Sequence, residues 1–181
     1  KGSENMDKKD LQNPALYTNR ELSWLLFNKR VLSEARDKQL LLFERLKFLS
    51  ITASNLDEFF MVRIGSLVDM IHAEYTKKDI AGMSAKEQLD ALMEETHKFA
   101  ALQYSTYNRM LLPQLRANGL NFVEHHEQLT ERQAQYVDEY FEENVYPVLT
   151  PMAVDSSRPF PLIRNKTLNI AALLVKKEEK S

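Results

Sequence analysis

The spacing of apolar residues constrains the fold of this chain more than any other feature of the sequence. Between residues 20 and 116, apolar side chains recur at every third or fourth position, which is typical of helices with one buried face. Pro113 is expected to kink or shorten the last helix, and Asn118-Gly119 is expected to end it. The pattern predicts an all-α domain over residues 17–117, built from four helices at about 20–36, 40–51, 54–72 and 84–116.

The same spacing predicts which residues face the core and where two of the helices begin. The inward stripe of the first helix contains Trp24, Phe27, Val31 and Ala35, and Leu25 and Leu32 widen it. The inward stripe of the third helix contains Leu56, Phe60, Ile64, Leu67, Val68 and Ile71. Ser54 can cap the third helix, with Asp57 at its third position, and this places Asn55 at the helix start. Ser84 and Glu87 predict a capping box at the start of the fourth helix.

Residues 118–181 show a different pattern. Short strands are predicted at 120–124 and 167–175, and a helix at 131–144. The second strand is apolar on both faces, which is typical of a strand that is covered on both sides. Four prolines between residues 147 and 161 exclude a helix there. No partner strand follows the last strand, so we expect the chain to stop inside a mixed α/β domain.

The fold class that follows is α+β, with an N-terminal all-α helical domain followed by the beginning of a mixed α/β domain. Residues 1–16 are polar and contain Pro14, and they are interpreted as a flexible leader. With 44% hydrophobic and 28% charged residues, the chain can bury a core and differs from a disordered sequence.

Composition excludes several classes of function. The chain has no cysteine, which removes disulfides, thiolate metal sites and cysteine nucleophiles. Its net charge of −2 predicts no bulk attraction to nucleic acid. No apolar run approaches the roughly 20 residues that span a bilayer, and the first residues lack the apolar core of a signal peptide. We therefore expect a cytoplasmic protein with no nucleic-acid partner and no transmembrane segment, and peripheral attachment at the inner membrane face is an alternative location.

Asn55 is the candidate binding residue. Asn is among the best capping residues, so a cap at the start of the third helix is one interpretation of its role. Because Ser54 is already available as a cap, the carboxamide of Asn55 can also stay free for a ligand. It offers a donor and an acceptor, which suits the edge of an adenine. The residues alone leave both interpretations open.

The sequence contains no complete catalytic or metal-binding constellation. Asp57 and Glu58 are adjacent, so in a helix their side chains point about 100° apart. A pair of helix-dipole partners is a better interpretation of them than a metal or acid–base pair. His125 and His126 are interpreted as solvated surface rather than as part of a zinc site. We assign no catalytic residue and no metal ligand to this chain, and it has no glycine-rich phosphate loop.

Several sequence motifs contain residues that a helical pattern does not require. They are residues 19–28 (NRELSWLLFN), 44–51 (ERLKFLSI), 54–63 (SNLDEFFMVR) and 149–155 (LTPMAVD), with Pro159-Phe160-Pro161 after the last. Together these motifs resemble the N-terminal part of the bacterial polyphosphate kinases of the first family. The resemblance runs from about residue 17 to 175, in the same order along the chain.

The resemblance implies a four-part enzyme with a helical N-terminal domain, a head domain and two C-terminal catalytic domains. It implies reversible transfer of the γ-phosphate of ATP to inorganic polyphosphate through a phosphohistidine, with Mg²⁺ assisting. The phosphorylated histidine and the metal ligands of such an enzyme would lie outside this chain. This chain alone is therefore expected to be inactive.

The resemblance also assigns roles inside the chain. The Asn of the Asn-Leu-Asp-Glu-Phe motif is the nucleotide contact of the family, and this implies that Asn55 contacts ATP or ADP. The head domain of the family is associated with dimers, which implies self-association through residues 118–181. An alternative function is a non-catalytic helical interaction module, favoured by the acidic helix predicted at 131–144.

Overall fold

The computed structural model describes residues 10–175, and the chain divides into two compact units, Lys1–Phe122 and Val123–Ser181. The helices of the first unit are α1 (Arg20–Arg36), α2 (Leu42–Phe59), α3 (Gly65–His72), α4 (Ala85–Thr106) and α5 (Leu112–Ala117). Two short π-helical turns, Phe60–Ile64 and Tyr107–Leu111, join α2 to α3 and α4 to α5. The helical character predicted for the N-terminal region is confirmed.

The segment before α1 contains two short 3-10 turns, Asp10–Gln12 and Pro14–Leu16. Pro14 lies close to Gly82, where an added Cβ would be 3.2 Å from the Cβ of Pro14. The φ angle of Gly82 is +79°, in the left-handed region that favours glycine. Part of the predicted leader therefore lies beside the loop before α4, while residues 1–9 lie outside the described residues.

α1 begins at Asn19, whose side chain caps it. The Oδ1 atom of Asn19 accepts from the backbone N–H groups of Glu21 and Leu22 at 3.0 and 2.9 Å. Its Nδ2 donates to Asp79 and Gln88 at 2.7 and 2.9 Å. Asn19 is buried, so this one side chain fixes the start of α1 against α4 and the loop before it.

The buried face of α1 contains Leu25, Asn28, Leu32 and Ala35. The prediction placed Phe27 on this face, but Phe27 is exposed, and Trp24 and Val31 lie at the edge of the buried face. The prediction was right for Leu25, Leu32 and Ala35 and wrong for Phe27, because α1 carries apolar side chains on both sides of its buried line. The consequence for function is that a polar side chain, Asn28, lies in the core.

α2 passes through Ser54 without a break. The prediction of a new helix capped by Ser54 is therefore wrong, because Ser54 is exposed and lies inside α2. Residues 41–64 contain no Gly or Pro, and a serine in a helix interior costs only a few tenths of a kcal/mol. A break would instead leave several backbone N–H and C=O groups unpaired. Asp57 and Glu58 consequently lie in the last turn of α2 rather than in a first turn.

Two groups of buried apolar side chains form the core of the first unit. One contains Leu25, Phe59, Ile64, Leu67, Ala85 and Leu92, and the other contains Leu32, Ala35, Leu49, Phe99 and Leu111. Phe59 stacks on Trp24, with ring centroids 4.6 Å apart and planes 12° apart. Phe60 was predicted to face inward, but it is 37% exposed while Phe59 is 2% exposed. The prediction was right for Ile64 and Leu67, which are both buried.

A buried cation connects α1, α2 and α5. Arg45 of α2 is 2% exposed, its Nε donates to the carbonyl oxygen of Ala35 at 3.1 Å, and its Nη1 donates to Oε1 of Gln114 at 3.1 Å. Ala35 is in the last turn of α1, where unpaired carbonyls and the helix dipole favour a positive charge. Arg45 therefore stabilises the C-terminal end of α1.

The ends of the α4–α5 segment agree with the sequence. Ser84 and Glu87 form the predicted capping box, with the Glu87 carboxylate accepting from the Ser84 N–H at 2.8 Å. This backbone hydrogen bond is the main cause that lowers the pKa of Glu87 below its usual value. Pro113 lies at the start of α5, directly after the π-helical turn, so the regular helix is interrupted where the kink was expected. Gly119, at a φ of +82°, follows the end of α5.

The second unit contains α6 (Glu131–Tyr140), a π-helical turn (Phe141–Val145) and a 3-10 turn (Tyr146–Val148). The helix predicted at 131–144 is confirmed, and Thr130 caps it together with Gln133. The strands predicted at 120–124 and 167–175 are not formed in the described residues.

The missing strands have a physical reason. A strand needs neighbours for its backbone hydrogen bonds and for its apolar faces. No residue from 123 to 175 is buried, and Leu168 and Ile170 are 95% and 91% exposed. The described residues therefore do not support the α/β character expected for this region. The helices of the first unit agree with the all-α prediction for the N-terminal region.

Candidate functional site

Asn55 is held by a buried carboxamide on α1. The Nδ2 of Asn55 donates to Oδ1 of Asn28 at 3.1 Å. The Nδ2 of Asn28 in turn donates to the backbone carbonyl oxygen of Thr52 at 3.2 Å. Asn28 is fully buried, whereas Asn55 is half-buried, so the chain of hydrogen bonds runs from the interior to the edge of the site.

α4 supplies a further member of this network. The Nε2 of Gln103 donates to the hydroxyl of Thr52 at 3.0 Å, and that hydroxyl donates to the carbonyl oxygen of Leu49 at 2.7 Å. Thr52 is buried. Three helices are thus connected by side chains of Asn28, Thr52, Asn55 and Gln103, which we call the amide network.

The structure removes one of the two interpretations of Asn55. Asn55 lies in the interior of α2, where it caps no helix, so the capping interpretation is wrong. Its Nδ2 is engaged with Asn28, but no hydrogen bond to its Oδ1 is formed within residues 10–175. The carboxamide therefore retains an acceptor atom to which no described residue donates.

The residues that follow Asn55 form a mixed apolar and charged surface. Phe60, Met61 and Val62 lie in the π-helical turn and are exposed. Turns of this kind are frequent at functional sites because they change the direction of neighbouring side chains. Arg63 ends the motif and its Nη1 lies 3.5 Å from Oε1 of Glu21 on α1.

A groove of about 300 Å³ lies beside this motif rather than at Asn55. Charged and aromatic residues on its wall include Glu21, Arg63, Tyr75, Lys77, Lys78 and Asp79. Neither Asn28 nor Asn55 lines it. Asn55 therefore lies outside this groove, and it is half-buried.

An ion pair joins α1 and α4 at Lys29, the residue that follows Asn28 in the sequence. Lys29 donates to Oε2 of Glu95 at 2.6 Å, and Lys98 donates to Oε1 of the same carboxylate at 2.9 Å. The hydrogen bond from Lys29, followed by that from Lys98, lowers the pKa of Glu95 from its ordinary value of 4.5 to about 2. The charged form of Glu95 is therefore favoured in the folded protein.

The Glu95→Gln substitution is expected to lower the free energy of unfolding by about 0.2–1 kcal/mol at pH 7, the range for solvent-exposed ion pairs. Because the folded pKa is depressed, this contribution is present above about pH 4.5 and is lost as the pH falls toward 2. Urea denaturation of both proteins at pH 7 and pH 3 measures the difference. The matched control is Glu94→Gln, which removes only a contact with Lys98 between exposed side chains and should cost less. An equal effect of Glu95→Gln at both pH values would contradict the assignment.

Two histidines, His97 and His126, have polar partners in the structure. His126 Nε2 lies 3.0 Å from Oδ1 of Asp138, and both side chains are exposed. His97 Nδ1 lies 2.7 Å from the carbonyl oxygen of Met93 on the surface of α4. In the described part of the chain, no three His, Asp or Glu side chains are close enough to hold a metal ion. These residues therefore do not fit the Mg²⁺ that the resemblance implies. In residues 10–175 we also find no helix with the length and apolar character needed to cross a membrane.

Sequence reasoning missed Asn28, Thr52 and Gln103. Asn28 lies at the helical spacing of Leu25 and Leu32, so a polar residue within an apolar stripe was the available signal. Gln103 gives no such signal, because its partner Thr52 is 51 residues away in the sequence.

Two family models match the chain. The model described as Polyphosphate kinase N-terminal domain matches residues 17–123, and the model described as Polyphosphate kinase middle domain matches residues 132–181. The first match alone covers more than half of the sequence. The chain therefore belongs to the polyphosphate kinase family, and the resemblance found in its motifs is confirmed.

Individual relatives agree with this assignment. The polyphosphate kinase of Lactiplantibacillus plantarum is 52% identical over 164 residues, which are 91% of this chain and 23% of the relative. That of Bacillus anthracis is 47% identical over 166 residues, with 91% and 24% covered. The crystal structure of polyphosphate kinase from Porphyromonas gingivalis matches with a TM-score of 0.63 and 32% identity, over 80% of this chain and 20% of that one. The chain spans about a quarter of the length of the curated relatives it matches.

Proposed function

We propose that this chain is the N-terminal part of a polyphosphate kinase, which transfers the γ-phosphate of ATP reversibly to inorganic polyphosphate through a phosphohistidine. Its own contribution is one wall of the nucleotide site, where Asn55 contacts the adenine. The family membership and the names of the relatives support the reaction.

One observation carries the role of Asn55. Its carboxamide is fixed on one side by Asn28, while its Oδ1 accepts no hydrogen bond within residues 10–175. A polar atom at the edge of a core is stabilised when a ligand supplies the missing partner. The exocyclic amine of adenine is a donor and can supply it.

The geometry favours a positioning role over a chemical one. Phosphoryl transfer depends mostly on positioning the reactants and on stabilising charge at the transferring group. Asn55 can orient the base, and this helps to place the phosphates at a distance from it. In the described residues, no group of His, Asp or Glu side chains that could hold a metal ion accompanies Asn55. The phosphohistidine and Mg²⁺ ligands are accordingly assigned to other parts of the kinase.

Residues 118–181 are assigned to the start of an α/β head domain that self-associates in the cytoplasmic enzyme. The match of residues 132–181 to the middle domain of the family supports a domain change in this region. Strands at 120–124 and 167–175 would then form with partners supplied by more of the kinase, since each is exposed in the described residues.

The Asn55→Ala substitution tests the nucleotide role. In a kinase of the relatives' length that carries this chain, we expect ATP to bind about five- to tenfold more weakly, because one hydrogen bond is worth on the order of 1 kcal/mol. Binding of inorganic polyphosphate should not change. Isothermal titration calorimetry with each ligand measures both affinities.

Ser54→Ala is the matched control, since Ser54 precedes Asn55 on α2 and is exposed. We expect it to leave both affinities unchanged. An Asn55→Ala protein with the ATP affinity of the wild type would exclude the adenine contact. Equal weakening of ATP and polyphosphate binding would point instead to a general structural effect.

A further inference from the structure

We infer that Asn28 is a positioning residue that sets the preference for adenine over guanine by fixing which end of the Asn55 carboxamide faces the base. This inference rests on the proposed contact of Asn55 with the nucleotide. It adds a residue on a different helix and a reason for base selectivity.

The orientation of both carboxamides follows from one backbone atom. The carbonyl oxygen of Thr52 can only accept, so the group of Asn28 that lies 3.2 Å from it is the Nδ2 donor. The Oδ1 of Asn28 then faces Asn55, and only the Nδ2 of Asn55 can donate to it, at 3.1 Å. The Oδ1 of Asn55 is left to face the ligand. Each hydrogen bond fixes the orientation of the next carboxamide, because it needs one donor and one acceptor.

Reversal of Asn55 is unfavourable in this network. Turning its carboxamide by 180° would place its Oδ1 against the Oδ1 of Asn28, so that two acceptors would face each other. Asn28 cannot turn in compensation, because its own Oδ1 would then face the carbonyl of Thr52. Asn28 is fully buried, so water cannot supply the lost partner.

The fixed orientation discriminates between purines. Adenine carries an exocyclic amine that can donate to the Oδ1 of Asn55. Guanine carries a carbonyl oxygen at the same ring position, and this oxygen would face Oδ1 as a second acceptor. A freely rotating carboxamide would accommodate either base by turning, whereas one held by Asn28 accommodates adenine. Sites built with fixed polar groups discriminate strongly because the wrong ligand leaves them unpaired.

If Asn28 had only a structural role, its substitution would leave the ratio of ATP to GTP affinity unchanged. Two substitutions separate this role from the positioning role. Asn28→Leu removes the acceptor for Asn55. Asn28→Asp keeps it, because the carboxyl group accepts from the Nδ2 of Asn55 in either protonation state. Both substitutions disturb the buried contact with Thr52, so both should lower stability. Only Asn28→Leu should release the carboxamide.

The experiment measures the dissociation constants of ATP and GTP for the kinase that carries this chain, by calorimetry, for the wild type and each variant. We expect the wild type and Asn28→Asp to prefer ATP to a similar degree, within about twofold. For Asn28→Leu the preference should fall about five- to tenfold, the equivalent of one hydrogen bond. Asn28→Ser is a second test if the leucine variant does not fold, since its short side chain cannot reach Asn55.

The outcomes distinguish this inference from the proposed function. If Asn55→Ala weakens ATP binding but Asn28→Leu and Asn28→Ser keep the wild-type ratio of ATP to GTP affinity, the inference is overturned and the nucleotide contact stands. A wild type without preference for ATP, or an Asn28→Asp protein that loses it, also overturns the inference. If Asn55→Ala leaves ATP affinity unchanged, the nucleotide contact fails and the inference fails with it.

Discussion

The Phe59→Ala substitution is expected to lower the free energy of unfolding of the helical unit by about 3–5 kcal/mol, the range for removing a buried aromatic side chain. Phe59 is 2% exposed and belongs to the core formed with Leu25, Ile64 and Leu67. Its ring also stacks on Trp24 at 4.6 Å, and aromatic pairs contribute roughly 0.5–1.5 kcal/mol beyond the area they bury. Urea denaturation followed by circular dichroism measures the loss.

Phe60→Ala is a matched control for this prediction. Phe60 is the next residue and the same amino acid, but it is 37% exposed, so we expect a loss of about 1 kcal/mol. If the two substitutions cost the same, or if Phe60→Ala costs more, the inward direction of Phe59 is wrong. The comparison also tests whether the Phe of the Asn-Leu-Asp-Glu-Phe motif serves packing rather than binding. In our interpretation its Phe serves the core and its Asn serves the ligand.

The parts of the fold that could be predicted from the sequence depend on local interactions. The capping box of Ser84 and Glu87 spans three residues, and the end of α5 at Gly119 depends on a backbone conformation that glycine adopts freely. Pro113 likewise acts through its own ring and its missing N–H. Each of these signals is complete within a few residues, so no knowledge of the packing was needed.

The prediction failed where packing decides between two acceptable local structures. A serine can cap a helix or lie within one, and Ser54 lies within α2 because continuing the helix keeps every backbone group paired. Phe59 and Phe60 are both apolar and adjacent, so the sequence alone leaves open which of them faces inward. In the folded unit Phe59 continues the buried line of α2, which also contains Leu49 and Thr52.

Only part of the candidate site could be predicted from the sequence. Asn55 was predicted from its motif, but Asn28, the partner that orients it, lies on α1 and was given no role. Buried polar side chains are stabilised by specific hydrogen bonds, and those bonds depend on which helices meet. Asn28 and Gln103 both contact Thr52, although they are 24 and 51 positions away from it in the sequence. No spacing rule within one helix contains that information.

The Asn19→Ala substitution is expected to lower the free energy of unfolding by about 2–4 kcal/mol. The loss of an N-cap costs about 0.5–2 kcal/mol, and the acceptor atoms left without their partner cost about 1–3 kcal/mol more. These atoms are the amide oxygen of the buried Gln88 and Oδ2 of the half-buried Asp79, which the Nδ2 of Asn19 contacts at 2.9 and 2.7 Å. The fluorescence of Trp24, the single tryptophan of the chain, follows unfolding of this unit in urea.

Two further substitutions separate the contributions of the Asn19 side chain. Asn13→Ala removes a cap of the same kind from an exposed 3-10 turn and should cost no more than about 0.5 kcal/mol. Asn19→Asp keeps the capping oxygen but places a second carboxylate against Asp79, so it should remain destabilising at neutral pH. A stable Asn19→Asp protein would mean that the cap alone matters. A large effect of Asn13→Ala would mean that burial does not distinguish the two caps. We expect Asn19→Asp to be destabilising and Asn13→Ala to be nearly neutral. Together these results would show that the Asn19 side chain holds the start of α1 against α4. These are the helices that carry Asn28 and Gln103 to the amide network.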